Sequence, residues 1–137
     1  MKVFLDSSVI LAGLKSSSGA SNLLLSLSQK RKIQALTSYL VLEEVKRNIS
    51  KKFSEKELIK LSNWLKNAKP KIVTLSESDI FLYKEVVATK DVHVLGGAHK
   101  VNAEFLATLD KKHLLKIRKN RRLPFKILTP GELINLL

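Results

Sequence analysis

Apolar and polar positions follow two periods along this chain, and the switches between them mark its elements. Val3-Phe4-Leu5 is a continuous β-favouring run that stops at Asp6, as expected for a strand covered on both faces. Ser7 or Ser8 can cap a helix through Val9, Ile10, Leu11 and Leu14, which gives way to a small polar loop over 15–19. Ala20, Leu23, Leu24 and Leu27 then recur at i, i+3, i+4 and i+7, the stripe of a second helix. Residues 33–37 read as a second strand, and Thr37 or Ser38 caps a helix through Leu42, Val45 and Ile49. Ser54-Glu55-Lys56-Glu57 has the form of a capping box opening a helix with Leu58, Leu61 and Leu65 on one side, broken at Ala68-Lys69-Pro70.

Lys71 to Leu75 is the third expected strand. Ser76 to Asp79 opens a helix predicted to run through Phe81, Leu82, Val86 and Val87. Asp91 can cap the next helix, which holds Val92, Leu95, Ala98 and Val101. Phe105 to Asp110 reads as a fourth strand that again ends at a carboxylate, and Phe125 to Leu128 as a fifth. Thr129-Pro130-Gly131-Glu132 starts a last helix, with Thr as cap, Pro first and Glu third. Strands alternating with helices mean parallel pairing and right-handed crossovers. The expectation is one α/β domain over 1–137, a three-layer α/β/α sandwich with a central parallel five-stranded sheet, without repeat or linker. Ligands in such sheets sit outside the carboxyl ends of the strands, so Asp6 and Asp110 are candidates for chemistry. The competing reading of Asp6 is a plain helix cap.

Composition narrows the partners. The absence of cysteine excludes a disulfide framework and thiolate chemistry, and suits a reducing, cytoplasmic setting. No apolar run approaches a membrane span, and the start of the chain does not read as a secretory signal. Lys plus Arg number 25 against 12 Asp plus Glu, a net charge of +13. Such a surface attracts polyanions, nucleic acid foremost; a merely solubilising lysine coat is the alternative.

Four carboxylates stand out by position: Asp6, Asp91, Asp110 and one of the pair Glu43-Glu44. At about 100° per residue, Glu44 borders the Val41, Leu42, Val45, Ile49 stripe and Glu43 points away from it, so Glu44 is the one expected at a site edge. The four can meet at one end of the sheet if the first and fourth strands are neighbours. Clustered carboxylates repel and raise one another's pKa unless a cation lies among them. Oxygen donors select hard cations, Mg²⁺ or Mn²⁺, which can polarise a phosphoryl group and activate water. An acidic pocket within a basic surface is the pairing a phosphodiester hydrolase needs.

These residues resemble those of the PIN domain family. Val3-Phe-Leu-Asp6-Ser7-Ser8 is similar to its first acidic motif, and Leu42-Glu43-Glu44-Val45 with Arg47 and Ile49 to its second. Asp91-Val-His-Val-Leu-Gly-Gly-Ala98 is similar to the third, and Phe105-Leu-Ala-Thr108-Leu-Asp110-Lys-Lys-His113 to the fourth. Ile127-Leu-Thr-Pro130-Gly-Glu-Leu133 looks like the closing strand and helix, so the resemblance spans essentially the whole chain. It implies a PIN-like nuclease domain in which Asp6, Asp91 and Asp110 bind Mg²⁺ or Mn²⁺ directly and Glu44 lies near the ion. Ser7 and Thr108 would supply supporting hydroxyls. It implies an endoribonuclease acting on RNA, permits pairing with an antitoxin protein, and makes a homodimer an expected state. One departure is Gly96-Gly97, where the family usually carries small alanine-like residues. Two mid-helix glycines cost about 1 kcal/mol each relative to Ala and point to close backbone packing or a kink.

The dense basic run after Asp110 includes Lys111, Lys112, Arg118, Lys119, Arg121 and Arg122. It reads as a phosphate-contacting arm beside the site, against the alternative of a solvated loop. His93, His99 and His113 lack metal-ligand spacing and read as structural or surface residues, with His113 the exception because it follows Asp110 closely and could touch a phosphate. Trp64 reads as core or dimer contact rather than a base-stacking platform. No Gly-rich phosphate loop is present, which argues against an NTPase. The rival from another class is a non-catalytic RNA- or protein-binding module on the same fold. A strand-end phosphoacceptor or phosphatase domain is the other rival, but Asp6-Ser7-Ser8 lacks the second Asp that haloacid-type phosphatases place two residues on.

Overall fold

A computed structural model describes residues Met1–Leu137. Five short strands, β1 (Lys2–Leu5), β2 (Gln34–Ser38), β3 (Lys71–Val73), β4 (Phe105–Ala107) and β5 (Lys126–Leu128), form one parallel sheet in the order β3-β2-β1-β4-β5. β1 is central: Val3, Phe4 and Leu5 are all 0% exposed, which is why they form an unbroken apolar run. The register sets Val3, Phe4 and Leu5 opposite Phe105, Leu106 and Ala107 of β4, and Asp6 N continues the ladder to Ala107 O. The chain after β1 and the chain after β4 therefore leave the sheet side by side. This is the point where the strand order reverses and where ligands of such sheets bind.

Seven helices flank the sheet: α1 (Ser7–Lys15), α2 (Ala20–Gln29), α3 (Tyr39–Lys52), α4 (Glu55–Ala68), α5 (Glu77–Ile80), α6 (Val92–Lys100) and α7 (Pro130–Asn135). α1 packs on α2, α3 and α4, and α2 on α7; α6 packs on β2 and on α5. A core of 30 buried apolar side chains runs through these layers. Gly96 and Gly97 are explained by closeness. A Cβ on Gly97 would stand 2.7 Å from the Phe4 ring, and one on Gly96 would strike the Asp79 carbonyl. α6 thus lies against the sheet and α5 at distances only a hydrogen permits.

Several expected details differ. The buried face of α2 is Ser21, Leu24, Leu25 and Ser28, one residue round from the expected stripe, and Leu23 is 41% exposed. The Trp64 indole N–H donates to Ser28 Oγ at 2.9 Å, and Gly13 admits the Leu25 side chain, so α2 is turned by its neighbours. Trp64 is consequently core, and the apolar side chains left exposed on α2 and α4 are Leu23, Leu58 and Ile59. The helix expected through Val87 is a single turn, α5. Phe81 and Leu82 point to solvent, while Tyr83 is buried and its hydroxyl meets His99 Nδ1 at 2.8 Å. Tertiary anchoring of Tyr83 overrides the apolar spacing. At α4, Ser54 Oγ donates to the Glu57 carboxylate and does not accept from the backbone, so no reciprocal capping box forms there. The boxes Ser76/Asp79 and Thr129/Glu132 do form.

Candidate metal centre and adjoining cleft

β1 ends at Asp6, which is the N-cap of α1 and 6% exposed. Its Oδ1 accepts from Ser7 N at 2.8 Å; its Oδ2 accepts from Ser8 Oγ at 2.9 Å and Thr108 Oγ1 at 2.7 Å. Burial pushes the Asp6 pKa up. The three hydrogen bonds work the other way, and the Glu44 carboxylate adds to the rise. Thr108, the residue after β4, is 0% exposed, and its hydroxyl also accepts from Asp110 N at 3.0 Å. One hydroxyl thus orders both the first acid and the turn that carries the last. Ser8 plays a similar part, accepting from Leu109 N at 3.1 Å.

Asp110 lies three residues beyond β4 rather than at its end. Its Oδ1 accepts from the amides of Lys112 and His113 at 3.1 and 3.0 Å, an Asx-type turn that fixes the carboxylate. Asp91 stands at the N-terminus of α6 but makes no capping hydrogen bond, and its Oδ2 is buried without a hydrogen-bond partner. Burial, and then the charge of Asp110, raise the Asp91 pKa. Oxygens of Asp91 and Asp110 and a nitrogen of His113 lie within 4.8 Å of one another. Glu44, on α3, faces inward: Ser7 Oγ donates to its Oε2 at 3.2 Å, and its Oε1 contacts His93 Nε2 at 2.5 Å. Glu43 is exposed. An orphaned buried carboxylate oxygen, a second carboxylate and an imidazole are a donor set that fits a divalent cation.

The structure thus brings Asp6, Glu44, Asp91 and Asp110 to one end of the sheet, with Ser7 and Thr108 against them. Asp91 and Asp110 cluster with His113, and Asp6 and Glu44 are the adjacent carboxylates. Three participants had weak or no signal in the sequence. In the sequence Ser8 is one of two alternative caps and the last residue of the first acidic motif, with nothing local to mark its bond to Asp6. His93 meets Glu44 across two helices, and no local pattern encodes that pairing. His113 is drawn in by the tight turn after Asp110.

Beside Glu44, Asp91 and His93 opens a cleft of about 610 Å³ whose wall also holds Arg47, Asn48, Lys51 and Lys90. Arg47, Asn48 and Lys51 follow Glu44 at i+3, i+4 and i+7, so they line the same side of α3. That spacing was legible in the sequence. None of the three cations is in an ion pair. The run after Asp110 is less free than expected. Arg118 is held bidentately by Glu132 at 2.9 and 2.7 Å, so its guanidinium is already engaged within the chain. That pair pulls the Glu132 carboxyl down to about 2. Leu114 is buried, and Leu115, Ile117 and Leu123 pack on the core, so Lys111, Lys112, Lys119, Arg121 and Arg122 project from an anchored segment. No helix is long and apolar enough to cross a membrane.

A family model for the PIN domain matches residues 2–112. No curated protein matches the sequence. Among solved structures, the chain is similar to one in the crystal structure of VapBC2 from Rickettsia felis bound to a DNA fragment from their promoter. The identity is 20% over 94% of this chain and 98% of that one, with a TM-score of 0.66. At that identity the likeness speaks for the fold.

Proposed function

Since this chain belongs to the PIN domain family, we propose that it is a divalent-cation-dependent endoribonuclease and the toxin of a toxin–antitoxin pair. The observation that carries this is the buried Asp91 Oδ2, left without a hydrogen bond and facing Asp110. Two carboxylates held at close range, one of them with an unpartnered buried oxygen, disfavour the empty site and favour one holding Mg²⁺ or Mn²⁺. Asp91, Asp110 and Asp6 would hold the ion, with Glu44 beside it. When bound, it supplies charge neutralisation at the phosphoryl group and a water of lowered pKa.

The remaining work belongs to the chain. Thr108 and Ser8 hold the Asp6 carboxylate in one orientation, and Ser7 does the same for Glu44. Arg47, Lys51 and Lys90 line the cleft that opens at the acids, and they bind the phosphates of a single RNA strand there. Lys111, Lys112, Lys119, Arg121 and Arg122 add a second run of cations after Asp110. The likeness to a chain of VapBC2 supports an antitoxin protein as partner. A homodimer would draw on exposed apolar residues such as Leu23, Leu58 and Ile59.

The deciding experiment is cleavage of single-stranded RNA by Asp6→Asn and Asp110→Asn. Loss of a cation that contributes several kcal/mol lowers the rate at least about 100-fold, with the circular dichroism unchanged. Undiminished cleavage by either folded variant overturns the assignment.

A further inference from the structure

We propose that His113 is itself a ligand of the cation held by Asp91 and Asp110, and that its nitrogen shifts the site's preference from Mg²⁺ towards Mn²⁺. The inference rests on the cation-dependent reading above and adds a donor of a different chemical kind to a site otherwise made of oxygen. His113 Nδ1 lies 3.3 Å from Asp110 Oδ2 and 3.6 Å from Asp91 Oδ2. Donors on adjacent corners of an octahedral ion with bonds of about 2.1 Å are about 3 Å apart. Both separations from His113 Nδ1 are close to that value, and the two carboxylates and the imidazole offer ligand atoms within 4.8 Å of one another, so one ion could take all three after small side-chain rotations.

Hydrogen bonding alone explains the arrangement less well. At 3.6 Å the imidazole does not bond Asp91 Oδ2, and that oxygen has no other partner. A lone ion pair between His113 and Asp110 would leave it orphaned, whereas a shared cation satisfies all three atoms. The imidazole is also positioned from behind. His113 N donates to Asp110 Oδ1 at 3.0 Å, tying backbone and carboxylate into one turn, and the next residue, Leu114, is 0% exposed. The His113 backbone is thereby held beside the acids, within reach of a short rotation of its imidazole. Imidazole binds transition ions better than Mg²⁺, which favours water and carboxylate oxygen, so a nitrogen donor separates the two ions where a carboxylate shell would not.

The test uses the full chain without RNA. Pulsed electron paramagnetic resonance of bound Mn²⁺ should show ¹⁴N coupling from a directly bonded imidazole, lost in His113→Gln and retained in His93→Gln. Calorimetric titrations should show Mn²⁺ affinity falling at least about tenfold in His113→Gln while Mg²⁺ affinity changes little. Bound Mn²⁺ without nitrogen coupling, coupling that survives His113→Gln, or an unchanged Mn²⁺ to Mg²⁺ affinity ratio overturns the ligand assignment and leaves the cation site standing. Failure of the wild-type chain to take up either ion overturns both. Loss of RNA cleavage in Asp110→Asn bears on the hydrolase reading alone.

Discussion

Asp91→Asn separates the cost of the acidic site from its use. Without a divalent ion, Asp91 and Asp110 confront each other with oxygens within 4.8 Å, and burial disfavours the charged form of Asp91. Two unit charges at that distance repel by about 3 kcal/mol at an effective dielectric constant of about 20. Solvent access and salt reduce this to about 1 kcal/mol. The near-isosteric amide removes the repulsion, so at pH 7 in EDTA the variant should melt about 3–5 °C above the wild type for a domain of this size. The pH dependence has a defined sign. The Asp91 pKa is raised in the folded protein, so the native state keeps a proton that the unfolded chain has released. Its contribution is intact below the unfolded value of about 3.9 and is lost as pH rises through the folded value. The variant's advantage must therefore shrink as pH falls towards 4. Adding Mn²⁺ reverses the order. At 100 times its Kd an ion stabilises the wild type by about 2.7 kcal/mol, about 10 °C, and the variant gains only a small part of that. Differential scanning fluorimetry with and without Mn²⁺ measures all of this. A variant no more stable than wild type in EDTA at pH 7, or one that gains as much from Mn²⁺, refutes the reasoning.

Thr108→Val removes the hydroxyl that donates to Asp6 and accepts from Asp110 N; urea unfolding should show a loss of about 2–4 kcal/mol, and a loss under 1 kcal/mol would mean that neither bond matters. Gly97→Ala presses on the Phe4 ring, a side chain that can shift, and should cost about 1–3 kcal/mol; Gly96→Ala meets the fixed Asp79 carbonyl and should cost more, so the reverse order by denaturant midpoint would contradict the packing described. The double variant Arg47→Ala/Lys51→Ala should weaken single-stranded RNA binding and flatten the plot of log K against log salt by about 1.4, from about 0.7 per phosphate contact; an unchanged slope in a fluorescence-anisotropy titration would move the strand out of the cleft.

Much of the architecture was legible because it is encoded locally. Val3-Phe4-Leu5 announces a two-sided strand, Thr129-Pro130-Gly131-Glu132 a helix start, and the turn of a helix about its axis separates inward Glu44 from outward Glu43. Composition likewise declared a basic surface around a few placed acids. What periodicity does not carry is which elements become neighbours. The order β3-β2-β1-β4-β5 puts Thr108 within 2.7 Å of Asp6, more than a hundred residues away, and no local signal specifies that distance. The same holds for His93 against Glu44, for Arg118 held by Glu132, and for a predicted helix cut to one turn because Tyr83 finds a buried partner. Hydrophobic spacing chooses most elements and sets their inward faces to within a residue or so. Close packing between elements then decides which polar atoms meet, and in this protein that decision assembles the site.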